Sequence, residues 1–139
     1  MAPLVADAQP PKHETVLVVE DDAAVRDFVA DVLRRFDYEV IVAANGAEAV
    51  SICNSELHFD LLFTDVVMPG GVSGITLANH ARERRPNIKI LLTSGYTGHP
   101  SVTADLEFPL IQKPYRIREL LARVRDALDR SGPESNSSD

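Results

Sequence analysis

The chain has 139 residues, 45% of them hydrophobic, with a formal net charge of -7 and an isoelectric point near 5.0, which suits one domain around a single core. Its acidic balance disfavours binding to phosphate backbones or anionic lipid, so no nucleic acid and no membrane is expected as a partner. Cys53 is the only cysteine, which rules out an internal disulfide and a thiolate zinc site, and neither a signal peptide nor a run of roughly 18 apolar residues is present. A soluble, cytoplasmic protein is the resulting expectation.

Residues 1–13 are Pro-rich and 132–139 Ser-rich, without apolar periodicity; both read as disordered tails around a working domain at 14–131. Thr15 to Val19 (T-V-L-V-V) predicts a buried central strand, ending in the acids Glu20, Asp21 and Asp22. From Ala23 to Phe36, Val25, Phe28, Val29, Val32, Leu33 and Phe36 recur at helical spacing, a one-faced helix with Asp22 placed to cap it. Tyr38 to Ala43 reads as a second strand, and Asn45-Gly46 opens a helix through Ala47, Ala49, Val50 and Cys53.

Asp60 to Thr64 predicts a third strand, which Asp65 closes just before a Met-Pro-Gly-Gly turn. Ser73 to Arg85 predicts a helix carrying Ile75, Leu77, Ala78 and Ala81 and stopped by Pro86. Lys89 to Thr93 is the fourth strand. The stretch from Gly95 to Phe108 has little periodicity, so it is expected to be mobile, with a short helix near Ser101 to Leu106. Leu110 to Gln112 makes a fifth strand before Lys113-Pro114, and Ile117, Leu120, Leu121, Val124 and Leu128 mark the last helix. Alternating strands and helices predict an α/β fold, a parallel sheet with helices on both faces and right-handed crossovers.

Ligands of an open parallel sheet collect outside the carboxyl ends of its strands. Glu20 and Asp21 after the first strand, Asp65 after the third, Thr93 after the fourth and Lys113 after the fifth should therefore meet on one rim. Two carboxylates about 5 Å apart repel by roughly 3 kcal/mol at an effective dielectric of 20, so the cluster favours a proton or a hard divalent cation. Mg²⁺ suits carboxylate, carbonyl and water ligands, as does Mn²⁺, and the backbone carbonyl of Val67 is a further candidate ligand. A cation there would orient Asp65 as a nucleophile, with Thr93 and Lys113 donating to an incoming phosphoryl group, and the product would be an aspartyl phosphate.

The segments V-V-E-D-D, T-D-V-V-M-P, L-L-T-S-G and Q-K-P, in that order and spacing, resemble the receiver domain of two-component response regulators, including stand-alone chemotaxis-type members. The resemblance covers nearly everything between the tails. It implies a flavodoxin-like, doubly wound, five-stranded parallel sheet in the order 2-1-3-4-5. It also implies Glu20 and Asp21 as the acid pair, Asp65 as phosphoacceptor, Thr93 as switch hydroxyl, Lys113 as the phosphate-contacting lysine, and a cis Lys113-Pro114 peptide. The family places an arginine five residues after the second acid; Arg26 stands five after Asp21, which leaves Asp22 as the helix cap.

The implied phosphodonor is a sensor histidine kinase or a histidine phosphotransfer protein. The implied output is altered binding of an unidentified downstream protein, through the fourth strand and the 95–123 surface, or onward relay of the phosphate. Catalysis would be limited to the domain's own phosphorylation and dephosphorylation. About nine polar residues follow the last helix, too few for an output domain.

Two departures from the family stand out. Leu110 occupies a position that is often aromatic and couples phosphorylation to the partner surface; Tyr96 is the nearby substitute. The loop after Asp65 is one residue longer than the commonest version, a pattern that looks like receivers attached to or partnered with hybrid sensor kinases. Val67 and Gly95, two residues beyond Asp65 and Thr93, have no side chain able to orient a hydrolytic water, so a long-lived phosphorylated state is expected.

The competing enzyme reading is a Mg²⁺-dependent phosphohydrolase with Asp65 as turnover nucleophile. Such enzymes usually need a second carboxylate two residues later, where this chain has Val67. A non-phosphorylated interaction module is a third class, and nucleotide binding is disfavoured because neither G-x-G-x-x-G nor a P-loop follows any strand. His13, His58, His80 and His99 lack metal-ligand spacing and read as surface or tail residues. Arg116, Arg118, Arg123, Arg125 and Arg130 read as a solvated basic side of the last helix.

Overall fold

The computed structural model describes residues 13–68, 70–95 and 108–130. In chain order these form β1 (Thr15–Val19), α1 (Ala23–Arg35), β2 (Glu39–Ala43), α2 (Gly46–Cys53), β3 (Leu61–Asp65), α3 (Gly74–Arg84), β4 (Lys89–Ser94), β5 (Leu110–Gln112) and α4 (Ile117–Asp129). The strands make one parallel sheet in the order β2-β1-β3-β4-β5, as expected. The helix expected near Ser101 to Leu106 lies outside the described residues, as do Tyr96, His99 and both expected tails except His13. No described helix is long and apolar enough to cross a membrane.

Side-chain alternation divides the interior into two cores. Val16 and Val18, Leu61 and Phe63, Leu91 and Ile111 face one side of the sheet, where they pack with Val29, Val32 and Leu33 of α1 and Leu120, Val124 and Leu128 of α4. Leu17 and Val19, Leu62, Ile90 and Leu92 face the other, against Ala49 and Cys53 of α2 and Leu77, Ala78 and Ala81 of α3. The central strands are thus covered on both faces, which is why they read as unbroken apolar runs rather than alternating ones. Each fully buried Leu or Val contributes about 1.5–3 kcal/mol over its exposed state.

The helix starts follow side-chain chemistry. Asp22 Oδ1 accepts from the backbone N–H of Ala24 at 2.9 Å and of Val25 at 3.2 Å, the capping role read from its position. Asn45 Oδ1 accepts from Glu48 N–H at 2.9 Å while the Glu48 carboxylate accepts from Ala44 N–H at 2.7 Å, a reciprocal cap for α2. Ser73 Oγ accepts from Thr76 N–H at 3.1 Å to start α3, whose last turn gives way at Arg85, before Pro86.

Four strand termini differ from the sequence expectation by one residue: β2 starts at Glu39 and β3 at Leu61, and two strands end later. β3 runs one residue further, through Asp65, and β4 one further, through Ser94. The ladder persists because Val66 N–H donates to Thr93 O at 2.8 Å, leaving Asp65 in register with Thr93.

The basic side of α4 is only partly a solvated face. Arg125 holds Glu14 with both Nη atoms, at 2.9 and 3.1 Å, and Asp129 at 2.9 Å, so it ties the entry of β1 to the last helix. Arg123 donates to Leu110 O.

Candidate functional site

The pleat decides which side of the sheet each candidate residue faces. Glu20 continues the alternation of Val16 and Val18, because its own N–H still donates to Ala43 O at 3.1 Å in line with the β1–β2 ladder. Lys113 continues that of Ile111, since its N–H donates to Ser94 O at 2.8 Å. Asp65 follows Leu61 and Phe63, and Thr93 follows Leu91. All four therefore emerge on the α1/α4 face of the carboxyl edge, which is a consequence of register and not of any local motif.

Lys113 Nζ lies 2.9 Å from Glu20 Oε1 and 3.0 Å from Asp65 Oδ1. Glu20 and Asp65 are only 4% and 5% exposed, so this ammonium is their main charge compensation. Glu20 Oε2 also accepts from Asp22 N–H at 3.1 Å, and Arg26 Nη1 donates to Glu20 O at 2.8 Å, which holds the residue at both its side chain and its backbone. Asp21 is exposed, yet a carboxylate oxygen from each of Glu20, Asp21 and Asp65 lies within 4.8 Å of the others. The Lys113-Pro114 peptide is cis. The Val67 side chain is exposed, and Leu110 packs with the α2/α3 core on the opposite face from Lys113.

Burial, and then the charge of Glu20, push Asp65 up to about 7, with Lys113 pulling the other way. Burial also works against the charged form of Lys113, but its hydrogen bond to Glu20 and the charge of Asp65 outweigh that and hold it above the usual lysine value. With all three carboxylates ionised, one ammonium would leave the pocket two negative charges in excess. This donor set fits a hard divalent cation, since carboxylates this close and this buried are undercompensated by one lysine. Thr93 Oγ1 is buried without a hydrogen-bond partner among the described residues, next to Asp65 across the β3–β4 ladder.

The raised Asp65 pKa has a stability consequence with a definite sign. Between about pH 4 and pH 7 the folded chain keeps a proton on Asp65 that the unfolded chain has released, so stability falls as pH rises through that window. With a chelator present at pH 8, Asp65→Asn is expected to be more stable than wild type by on the order of 2 kcal/mol, with a much smaller gain at pH 5. Thermal melts at the two pH values check this. A variant less stable than wild type at pH 8 would refute the assignment.

Two residues of the site were not singled out by sequence. A Cβ at Gly74, the first residue of α3, would sit 1.8 Å from Asp65 O and 2.8 Å from Val66 Cα, so the helix start backs directly onto the peptide that carries Asp65. Gly74 N–H also donates to Val66 O at 2.7 Å. The loop that delivers it turns through Gly70 and Gly71, each at φ +95°, a conformation only glycine adopts freely. The other residue is Tyr115, whose hydroxyl is buried and has no hydrogen-bond partner among the described residues. The signal for Gly74 was a lone glycine following a capping serine; Tyr115 gave none beyond its nearness to Lys113.

The family model for the response regulator receiver domain matches residues 16–125. The chain is 34% identical over 116 residues to the response regulator receiver protein CpdR of Brucella abortus (strain 2308), covering 81% of this chain and 95% of that one. It is 36% identical over 121 residues to the sensor kinase CckA of the same organism, covering 84% of this chain and 13% of the kinase. Among solved structures it is similar to the receiver domain of the hybrid histidine kinase CckA, with a TM-score of 0.68 and 34% identity over 83% of this chain and 99% of that one. A CheY-like receiver domain protein from Methanospirillum hungatei JF-1 matches with a TM-score of 0.73 and 30% identity, covering 85% and 95%. The chain thus spans a small part of one relative and nearly the whole of another.

Proposed function

The chain belongs to the response regulator receiver domain family, signalling domains that act as phosphoacceptors, and from that premise we propose that Asp65 is its phosphoacceptor, taking a phosphoryl group from a histidine kinase or histidine phosphotransfer protein. The observation that carries this reading is the bridge from Lys113 to both Glu20 and Asp65, on the rim where Asp21 completes an acidic trio. In the transfer, an Asp65 carboxylate oxygen bonds to phosphorus as the phosphorus–nitrogen bond of the donor histidine breaks. Asp21 and Asp65, with Glu20 and the carbonyl of Val67, are the residues that would hold Mg²⁺. When bound, Mg²⁺ offsets the negative charge of the transferring phosphoryl group.

The chain's own groups supply the rest. Lys113 already lies on Asp65 and is poised to pair with a phosphoryl oxygen, while the Thr93 hydroxyl, unpaired among the described residues, is available as a second donor from the adjacent strand. Phosphorylation would then alter affinity for a downstream protein, through β4 and the 95–123 surface, or the phosphate would pass onward. Leu110 faces the α2/α3 core, so aromatic rotation at that position plays no part in the switch. A turnover phosphohydrolase is not favoured: the family is one of phosphoacceptors, and the exposed Val67 stands where a general-acid carboxylate would be needed.

The test is intact mass after incubation with acetyl phosphate and Mg²⁺. Wild type is expected to gain the mass of one phosphoryl group, and Asp65→Ala or chelated wild type to gain none. An unchanged wild-type mass, or an equal gain in Asp65→Ala, would sink the assignment.

A further inference from the structure

Of the three carboxylates that converge on the rim, Asp21 is the one whose side chain nothing holds. Glu20 is met by Lys113 and by Asp22 N–H, and Asp65 by Lys113. Asp21 is exposed, and among the described residues its carboxylate makes neither a hydrogen bond nor an ion pair. One of its oxygens nevertheless lies within 4.8 Å of those of Glu20 and Asp65. Its place in the trio is therefore set by its backbone.

One residue meets that backbone on both sides. Arg26, in the first turn of α1, donates its own N–H to Asp22 O at 2.9 Å, and its Nη1 reaches back to Glu20 O at 2.8 Å. The first bond belongs to the helix, and any residue with an N–H would make it. The second needs a long side chain with a donor at its tip, and it fixes the carbonyl of the peptide that joins Glu20 to Asp21. A peptide held in this way resists rotation, and rotation would swing the Asp21 side chain away from Asp65. Arg26 forms no ion pair with a described carboxylate, so this carbonyl is the partner of its guanidinium.

The charge of Arg26 acts in the opposite sense. A cation beside a metal site repels a second cation, so on charge alone the site would hold Mg²⁺ better without it. The first turn of a helix also favours acids, and that of α1 carries none. An arginine there is accounted for by the carbonyl it reaches.

We propose that Arg26 is a positioning residue for the metal site: its guanidinium fixes the Glu20–Asp21 peptide so that the Asp21 carboxylate is already in place when Mg²⁺ arrives. The proposal rests on the receiver reading of the site and names the group that prepares its one loosely held ligand. Groups that orient a metal ligand without touching the metal typically contribute about 10–100-fold to affinity.

Arg26→Met tests it, because the variant keeps an aliphatic stem and loses both the donor and the charge. Wild type, Arg26→Met, Asp21→Asn and the double variant are melted in chelator and across a Mg²⁺ titration, and affinity is read from the shift in melting temperature. In chelator, Arg26→Met is expected to melt within about 5 °C of wild type, since one hydrogen bond is lost. Its Mg²⁺ affinity should fall about tenfold. In the Asp21→Asn background the same substitution should weaken Mg²⁺ binding by less than about twofold, because the charged ligand it positions is already gone. Equal or tighter Mg²⁺ binding by Arg26→Met would overturn the proposal, since that is the effect of charge alone. An equal tenfold loss in both backgrounds would overturn it too, as would a variant unfolded in chelator, because Arg26 would then serve the fold rather than Asp21. A wild type whose melting temperature does not respond to Mg²⁺ would instead overturn the metal-dependent receiver reading, so the two failures are distinguishable.

Discussion

Lys113→Met is expected to lower phosphorylation by acetyl phosphate by at least about 100-fold and, with a chelator at pH 8, to cost about 3 kcal/mol of stability. Both losses have one cause. The ammonium is 2.9 Å from Glu20 and 3.0 Å from Asp65, and removing it leaves two nearly inaccessible carboxylates facing each other. At pH 5 the stability loss should shrink, because Asp65 titrates at about 7 even with the lysine present and is protonated there. Adding Mg²⁺ at pH 8 should restore part of the stability without restoring phosphorylation, since a cation can balance the acids but does not replace a donor to phosphorus. Denaturant midpoints with and without Mg²⁺, beside phosphorylation rates, check both halves. A variant equally unstable at both pH values would mean that the aliphatic stem of Lys113, rather than its charge, matters.

Gly74→Ala is expected to cost about 3 kcal/mol, at the upper end for a small-to-large change. The atoms it meets are backbone: Asp65 O at 1.8 Å, Asp65 C at 2.7 Å and Val66 Cα at 2.8 Å. No rotamer change relieves such a clash, so α3 must move off β3 or the Asp65 peptide must shift. If the peptide shifts, the carboxylate leaves its place against Lys113, and a displacement of about 1 Å lowers the phosphorylation rate by about 100-fold. The variant should therefore lose both stability and phosphorylation, whereas Thr76→Ala, exposed one turn into the same helix, should lose little of either. A loss below about 1 kcal/mol for Gly74→Ala would mean that the helix start has more room than the structure gives it.

The strand and helix order, the cap at Asp22 and the helix starts near Asn45 and Ser73 were legible in the sequence because each depends on neighbours within a few residues. Apolar runs mark strands covered on both faces, and oxygen-bearing side chains before helical periodicity mark caps. The kinds of residue at the strand ends were legible for the same reason, and the carboxyl edge of a parallel sheet is the place where such residues meet. Strand ends were less so: Asp65 and Ser94 belong to their strands because a hydrogen bond from Val66 to Thr93 continues the ladder, and a ladder bond is made between distant segments.

Only the tertiary structure decided how those residues meet. Lys113 and Glu20 are 93 residues apart in the chain, and their 2.9 Å contact follows from strand register, which no local pattern encodes. The same register sets Glu20, Asp65, Thr93 and Lys113 on one face, backs Gly74 onto the Asp65 carbonyl and buries the Tyr115 hydroxyl without an acceptor among the described residues. Local sequence carries short-range propensity and periodicity; a distance between atoms on different strands is set by packing the whole sheet, and the chemistry of this pocket depends on such distances.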